Sequence, residues 1–177
     1  LSNLGWVAEK RGDQVGALKH FLTALEQSEL AQDSASTSVL LYSIGIAYRK
    51  TGEHQQALGF LERSMALERK LHRRYNEANC MVAVANTYRE MGDTLQALAG
   101  LQSAGSMYTE LGDHKGLGIV AENKGELLVQ GNPDAALRAY QAAYAHYDTA
   151  HSPVDQAYVL RNLGDLFLEL DQLVDAE

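Results

Sequence analysis

The chain is poor in cysteine and proline, and it contains no long uninterrupted apolar run. Its one thiol, Cys80, cannot form an internal disulfide, and no Cys/His spacing is typical of a zinc site, so the cytoplasm is the expected compartment. No stretch approaches the roughly 18 apolar residues that a membrane helix needs, so no membrane partner is expected. The two prolines, Pro133 and Pro153, leave long helices almost uninterrupted.

The sequence also lacks a basic excess and the common catalytic motifs. The net charge is −8, and the one basic cluster, "RKLHRR" (69–74), lies at an expected junction between helices, where a solvated turn is the simpler interpretation. No HExxH is present, and no Gly-rich phosphate loop follows a strand. We therefore expect no nucleic-acid partner, no metal, no cofactor and no enzyme activity.

The sequence does contain one turn motif that recurs five times. Its copies are "GDQVGAL" (12–18), "GEHQQAL" (52–58), "GDTLQAL" (92–98), "GNPDAAL" (131–137) and "DQLVDAE" (171–177). The steps between them are 40, 40, 39 and 40 residues. A fixed period of this kind predicts a solenoid, in which stacked units bury the apolar faces that one unit cannot bury alone.

Aligning the five turns brings further positions into agreement. A small residue precedes each turn, at Gly5, Gly45, Ala85, Gly125 and Gly164, and an alanine follows each turn, at 17, 57, 97, 136 and 176. Spacings of three, four and seven residues between the conserved positions of a unit place them on single helical faces. Each unit is therefore predicted to be two antiparallel helices, helix A before the turn and helix B after it, whose backbones approach closely at the small residue.

Local signals predict where these helices end. The turn glycine ends helix A, because glycine adopts a left-handed conformation at least cost. The acid that follows it, at positions 13, 53 and 93, is expected to cap helix B, and Asn132 with Pro133 does so in the fourth unit. The predicted fold is an all-α solenoid of about four and a half units, approximately 1–33, 34–73, 74–113, 114–152 and an incomplete 153–177.

The repeated positions resemble the tetratricopeptide repeat. Its helix A pattern is seen in "SIGIAYRKTGE" (43–53) and "AVANTYREMGD" (83–93), and in part in "NLGWVAEKRGD" (3–13) and "NLGDLFLELDQ" (162–172). The period departs from the family's usual 34 residues, and the proline that normally closes helix B is absent. Forty-residue versions are similar to arrays in bacterial regulatory proteins, and long repeats also occur in eukaryotic cargo adaptors.

The resemblance implies a non-catalytic scaffold that binds a protein or an extended peptide in a concave groove lined by helices A. Carried over residue by residue, the groove positions are Tyr42, Ile46, Arg49, Lys50, Asn79, Val82, Asn86, Arg89, Glu122, Glu126, Tyr158, Arg161 and Asp165. Asn86 and Arg89 are the preferred contacts, since a groove asparagine can hold the backbone amide of a peptide. The alternative is that the two residues bond each other or a neighbouring helix.

Two other functions stay open at this stage. The chain opens within a helix A and stops just inside a helix B, so the resemblance implies one array, 1–177, within a larger protein. It would then act as a sensory module of a bacterial signalling or transcription regulator. A third hypothesis is self-assembly, with a homodimer formed through apolar surface at the ends of the array.

Overall fold

The structure, a computed structural model, describes residues 2–174, and every regular element in that range is an α-helix. The helices are α1 (Ser2–Lys10), α2 (Gln14–Leu30), α3 (Ser34–Lys50), α4 (His54–Lys70), α5 (Arg74–Glu90), α6 (Thr94–Leu111), α7 (His114–Leu128), α8 (Pro133–Thr149) and α9 (Pro153–Val174). The odd-numbered helices are the predicted helices A and the even-numbered ones the predicted helices B. The all-α prediction is confirmed. None of the helices within 2–174 is long and apolar enough to cross a membrane.

The helices form two compact units that divide between Gly100 and Leu101, inside α6. In unit 1, each of the helices α1 to α4 packs against the next one in sequence, and α3 also contacts α5. In unit 2, α7 packs on α8 and α8 on α9. The helices A α3 and α5 are therefore neighbours within unit 1, with α4 packed against both.

The small position before each turn brings helices A and B together. A Cβ added to Gly45 would lie 2.6 Å from Leu61 Cγ, and one added to Gly125 would lie 2.5 Å from the Tyr140 ring. At Gly164 the same Cβ would meet nothing within 4 Å. The predicted close approach is thus confirmed at Gly45 and Gly125, and Gly164 shows the same position without a packed neighbour.

Three turns after helices A have the predicted left-handed glycine, with φ between 79° and 82° at Gly12, Gly52 and Gly92. The prediction is wrong at Gly131, whose φ is not positive, because α7 already ends at Leu128. The junctions after helices B carry the same left-handed residue, which the sequence analysis did not anticipate. It is Gln32, His72 and His151, with φ of 55°, 57° and 51°, and Gly112, with φ of 65°. A left-handed turn therefore follows helices B as well as helices A, but in three of the four junctions after helices B the left-handed residue is not glycine, so the sequence gives no glycine signal for it.

Three of the four predicted caps at the start of helices B are confirmed. The side chains of Asp13, Asp93 and Asn132 accept a hydrogen bond from the backbone N–H three residues on, at 2.8, 3.0 and 3.0 Å respectively. The expectation for Glu53 is wrong: it makes no capping bond, and its carboxylate accepts from Thr51 Oγ1 at 3.0 Å. Glutamate is one methylene longer than the residues that favour this position.

The fifth predicted turn does not form. Helix α9 continues through Asp171 to Val174, where the alignment predicts the end of helix A. Asp171 occupies the position that glycine holds in the other turns, so the residue that adopts a left-handed conformation at least cost is missing. Residues 175–177, including the aligned Ala176, lie outside the described residues.

Candidate functional site

Eight of the thirteen predicted groove residues belong to α3 and α5 of unit 1. We call the side of these two helices that carries Tyr42, Asn79 and Asn86 the helix A face. The predicted residues on the two helices are Tyr42, Ile46, Arg49, Lys50, Asn79, Val82, Asn86 and Arg89. Because α3 contacts α5, side chains of two successive units lie close enough here to act on one ligand.

A cavity of about 190 Å³ opens on the helix A face between α3, α4 and α5. Predicted groove residues Tyr42 and Asn79 line it, together with Val39, Ser64, Glu68, Asn76 and Cys80. Helix α4 contributes the polar floor, and the two helices A contribute the walls. The structure thus brings two predicted residues together around a space that the sequence analysis did not foresee.

The floor of this cavity carries a buried carboxylate. Glu68 is only 2% exposed; Ser38 Oγ donates to its Oε1 at 2.6 Å, and Asn76 Nδ2 donates to its Oε2 at 3.2 Å. Ser64 Oγ donates to the backbone carbonyl of Ser38 at 2.8 Å and lies 3.5 Å from Cys80 Sγ. The carboxylate is therefore held in one position by neutral donors.

Two titratable groups that line the cavity are neutral near pH 7. Burial, together with the carboxylates of Glu68 and Glu77, raises the pKa of the Cys80 thiol to about 11, against a hydrogen bond with Ser64 that lowers it. Burial also raises the pKa of the Tyr42 phenol. Cys80 is consequently a protonated thiol, which is a weak nucleophile.

A second polar group lies at the C-terminal ends of the same two helices. Arg49 on α3 forms an ion pair with Glu90 on α5, and His54 Nδ1 lies 3.8 Å from the second oxygen of Glu90. Asn86 precedes Glu90 by one helical turn. Within the described residues, Asn86 Oδ1 and Arg49 Nε are buried and make no hydrogen bond.

These two atoms are complementary in character. The Arg49 Nε–H is a donor, and Asn86 Oδ1 is an acceptor. The sequence leaves open whether Asn86 bonds a neighbouring helix, and in the structure its side-chain oxygen does not do so within the described residues. A buried polar atom without a partner is costly, so both positions favour a ligand or a water molecule.

The remaining predicted residues of unit 1 differ in accessibility. Val82 is buried in the core, Ile46 and Arg89 are half-buried, and Lys50 is exposed. Val82 therefore contributes to packing, and only the other three present side-chain atoms at the surface.

In unit 2, the predicted groove acid Glu122 is tied to two neighbouring helices. Tyr147 on α8 donates from its phenol to Glu122 Oε2 at 2.8 Å, and Asn162 Nδ2 on α9 donates to Oε1 at 3.3 Å. Tyr147 is 1% exposed, and its burial and the Glu122 carboxylate raise the pKa of its phenol. Glu122 thus joins α7, α8 and α9 through hydrogen bonds.

The other four predicted residues of unit 2 are exposed. They are Glu126 on α7 and Tyr158, Arg161 and Asp165 on α9. The guanidinium of Arg161 lies over the Tyr158 ring, 5.5 Å from its centroid, as in a cation–π contact.

Two histidines of unit 2 meet, which their distance in sequence did not predict. His114 Nδ1 and His146 Nδ1 are 3.3 Å apart, at the start of α7 and near the end of α8. Burial and the nearby His114 lower the pKa of His146. Across the part of the chain that the structure describes, no group of three or more His, Cys, Asp or Glu side chains is arranged to hold a metal ion.

Glu68 and Ser64 are not among the predicted groove residues, although the sequence carries a signal for them. In the repeat alignment Glu68 shares its helix B position with Ser28, Tyr108 and Tyr147, and Ser64 shares its position with Ala24, Ala104 and Ala143. All eight side chains are buried. An acid in a column otherwise filled by uncharged side chains marks the second unit as chemically different.

Comparison with known proteins agrees with this architecture. Residues 36–110 match the family model of the tetratricopeptide repeat. The Rap conjugation gene regulator of the plasmid pLS20, solved in complex with the Phr* peptide, has a similar fold, with a TM-score of 0.74 and 18% identity over 97% of this chain. The chain spans 52% of that regulator's length.

Two further solved structures share the fold. BtubC from P. vanneervenii has a TM-score of 0.69 at 14% identity, over 95% of this chain and 78% of its own. A putative kinesin light chain with TPR-like repeats from Podosopora anserina has a TM-score of 0.68 at 15% identity, over 98% of this chain and 90% of its own. At these identities the likeness shows the fold. Residues 36–110 thus carry the match to the tetratricopeptide repeat, and the chain has the fold of TPR-like α-solenoids.

Proposed function

We propose that this chain is a non-catalytic scaffold that binds an extended peptide, or an extended segment of a partner protein, on the helix A face of unit 1. The observation that carries the proposal is the pair of unsatisfied buried atoms, Asn86 Oδ1 and Arg49 Nε, on adjacent helices A. The cytoplasm is the compartment we propose, on the argument from the single cysteine.

The chemistry of a peptide backbone suits these atoms. Each peptide unit carries one N–H donor and one C=O acceptor, and both need partners when water is excluded. Asn86 supplies an acceptor, and Arg49 supplies a donor whose charge is already balanced by Glu90. A ligand that satisfies both atoms removes a cost of roughly 1–3 kcal/mol for each.

The test begins with a random dodecapeptide library displayed on phage and selected on the purified chain. Enriched peptides are synthesised with a fluorescent label and titrated against the parent, Asn86→Ala and, as a matched control, Gln56→Ala, which changes an exposed amide on α4. We expect Asn86→Ala to weaken binding about tenfold, as loss of one or two hydrogen bonds implies. Gln56→Ala should bind like the parent, and all three proteins should melt alike.

Two results would contradict the proposal. If the parent enriches no peptide, the chain is not a general peptide-binding scaffold. If it enriches peptides whose affinity is the same for Asn86→Ala, the site lies away from the helix A face.

A regulatory role within a longer protein is the second candidate. The observation that favours it is the fold shared with a peptide-bound gene regulator of which this chain spans 52%. Peptide binding would then alter the stability of helices beyond the contact. Hydrogen exchange with and without a selected peptide tests this, because protection confined to residues at the peptide would argue against a transmitted change.

Self-assembly is the third candidate, and one face of α9 favours it. The apolar side chains of Val154, Leu160, Phe167 and Leu168 are each more than half exposed. Exposed apolar patches mark interaction surfaces. Sedimentation velocity over a hundredfold range of concentration tests for a homodimer. If the parent and Phe167→Asp both keep the mass of a monomer at every concentration, a homodimer is excluded.

A further inference from the structure

We infer that the cavity between α3, α4 and α5 binds a basic side chain of the peptide, lysine or arginine, with the Glu68 carboxylate as its counter-ion. The inference rests on the proposed peptide-binding function and adds the chemistry of one side-chain position. The cavity opens on the helix A face through Val39, Tyr42 and Asn79, so a peptide lying there has access to it.

The charge of the cavity is the first argument. Both oxygens of Glu68 accept hydrogen bonds, but the donors are a hydroxyl and an amide, and no cation of the described residues pairs with the carboxylate. A buried carboxylate without a counter-ion is unfavourable, because its hydration is lost and neutral donors replace it only in part. A cationic ligand group would supply the missing partner.

The nearest cation in sequence is engaged elsewhere. Arg69 adjoins Glu68, but its guanidinium is largely exposed and its Nε donates to Glu77 Oε1 at 2.7 Å. Glu77 is itself buried, so this ion pair balances the second acid of the region. Glu68 is left as the unbalanced charge in the cavity.

The walls suit the stem of a basic side chain. Val39 and the ring of Tyr42 offer apolar and aromatic surface above the carboxylate. Lysine and arginine carry a chain of methylenes below a cationic head, and such stems pack on apolar surface while the head seeks polar partners. The Tyr42 ring adds a cation–π contact. An apolar side chain would leave Glu68 unpaired, and an acidic one would be repelled.

Unit 2 shows that the fold does not require an acid at this position. Tyr147 is the counterpart of Glu68 and Ala143 that of Ser64 in the repeat alignment. The Tyr147 ring is buried and packs so closely on α7 that a Cβ at Gly118 would lie 2.6 Å from it. An aromatic ring thus fills the space that remains open beside Glu68.

The dodecapeptide selection provides the direct test, with Glu68→Gln as the variant. Glutamine keeps the shape and removes the charge, and Glu62→Gln, an exposed acid on the same helix, changes net charge equally away from the cavity. We expect parent-selected peptides to share one lysine or arginine. Its replacement by norleucine should weaken binding about tenfold in the parent and in Glu62→Gln, and less than twofold in Glu68→Gln. Exchange of lysine for arginine shows which head group is preferred.

The outcomes separate the two proposals. Enriched peptides without a shared basic position, or a norleucine effect that persists in Glu68→Gln, would overturn the inference and leave peptide binding intact. If no peptide is enriched at all, the proposed peptide binding is contradicted. The charge preference of the cavity is then tested by the reaction of Cys80 with charged reagents.

Cys80 reports on the cavity without any peptide, because it lines the space and is the single cysteine of the chain. Methanethiosulfonates attach when the thiolate attacks the sulfenyl sulfur and methanesulfinate leaves. At pH 9 the cationic aminoethyl reagent should react on the order of ten times faster than the anionic sulfonatoethyl reagent in the parent and Glu62→Gln. A change in the Cys80 pKa alters both rates alike, so their ratio isolates the field of Glu68.

That ratio should fall towards one in Glu68→Gln. Equal rates for the two reagents in the parent, or a preference that survives in Glu68→Gln, would contradict a cation-selective cavity. No reaction with either reagent would show that the cavity does not admit a ligand, and it would overturn the inference as well.

Discussion

Replacing glycine by alanine at one repeat position should have opposite effects in two helices of unit 2. At Gly125 the new Cβ would lie 2.5, 2.6 and 2.9 Å from three atoms of the Tyr140 ring, which is itself buried. The ring or the helix must shift, and overpacking of this kind costs about 1–3 kcal/mol. At Gly164 the same Cβ meets nothing within 4 Å.

Both substitutions also gain helix propensity of roughly 1 kcal/mol, because alanine loses less conformational freedom in a helix than glycine does. For Gly125→Ala this gain only partly offsets the steric cost, so we expect a net loss of up to about 2 kcal/mol. For Gly164→Ala nothing opposes it, so we expect a gain of up to about 1 kcal/mol.

The assay is urea denaturation followed by far-ultraviolet circular dichroism, with the parent and both variants measured side by side. Midpoints are compared, because repeat proteins can unfold in more than one step and a single extrapolated free energy is then poorly defined. A Gly125→Ala variant as stable as Gly164→Ala would show that α7 and α8 do not approach as closely as described. It would refute the role assigned to the small position.

Three further predictions follow from particular contacts. Tyr147→Phe removes the hydrogen bond to Glu122 and should cost about 1.5–3 kcal/mol in urea denaturation, and a neutral result would show that the bond makes no net contribution. His72 has a positive φ, so His72→Val should lower the free energy of unfolding by about 1–2 kcal/mol. His72→Gly should leave the free energy of unfolding equal or raise it, because glycine adopts this conformation without strain. Equal stability of the two variants would contradict the left-handed turn. Burial and the nearby His114 hold the pKa of His146 below its ordinary value of 6.5 in the folded protein, so the unfolded chain binds more protons near and below that pH. Stability present above pH 6.5 should therefore decline as the pH falls through the folded pKa, and His114→Gln should reduce that decline in thermal melts at pH 5 and 7.5.

The repeat could be read from the sequence because its signals are local. A left-handed glycine, an adjacent cap such as Asp13, and a small residue such as Gly45 each act within one turn or one helix pair, so they recur wherever the unit recurs. Prediction from these local signals failed where the left-handed residue is not glycine or where the turn glycine is replaced. His72 adopts the left-handed turn without being glycine, and Asp171 does not adopt it at all.

The candidate site could be predicted only as a set of positions on helices A. Tyr42, Asn79 and Asn86 could be assigned to one side of helices A, because helical periodicity determines which side chains share a face. Whether such a residue is available to a ligand depends on its partners in other helices. Glu122 is held by Tyr147 and Asn162, whereas Asn86 Oδ1 has no partner within the described residues.

The sequence by itself determined the class of fold and the length of the unit, since both follow from periodicity and turn chemistry along the chain. Only the tertiary structure decided which of the chain's charges are balanced. Arg49 meets Glu90 and Arg69 meets Glu77, so these ions are paired, while Glu68 lies buried with neutral donors alone. Such pairings depend on distances between side chains of different helices, and a repeat period does not encode them.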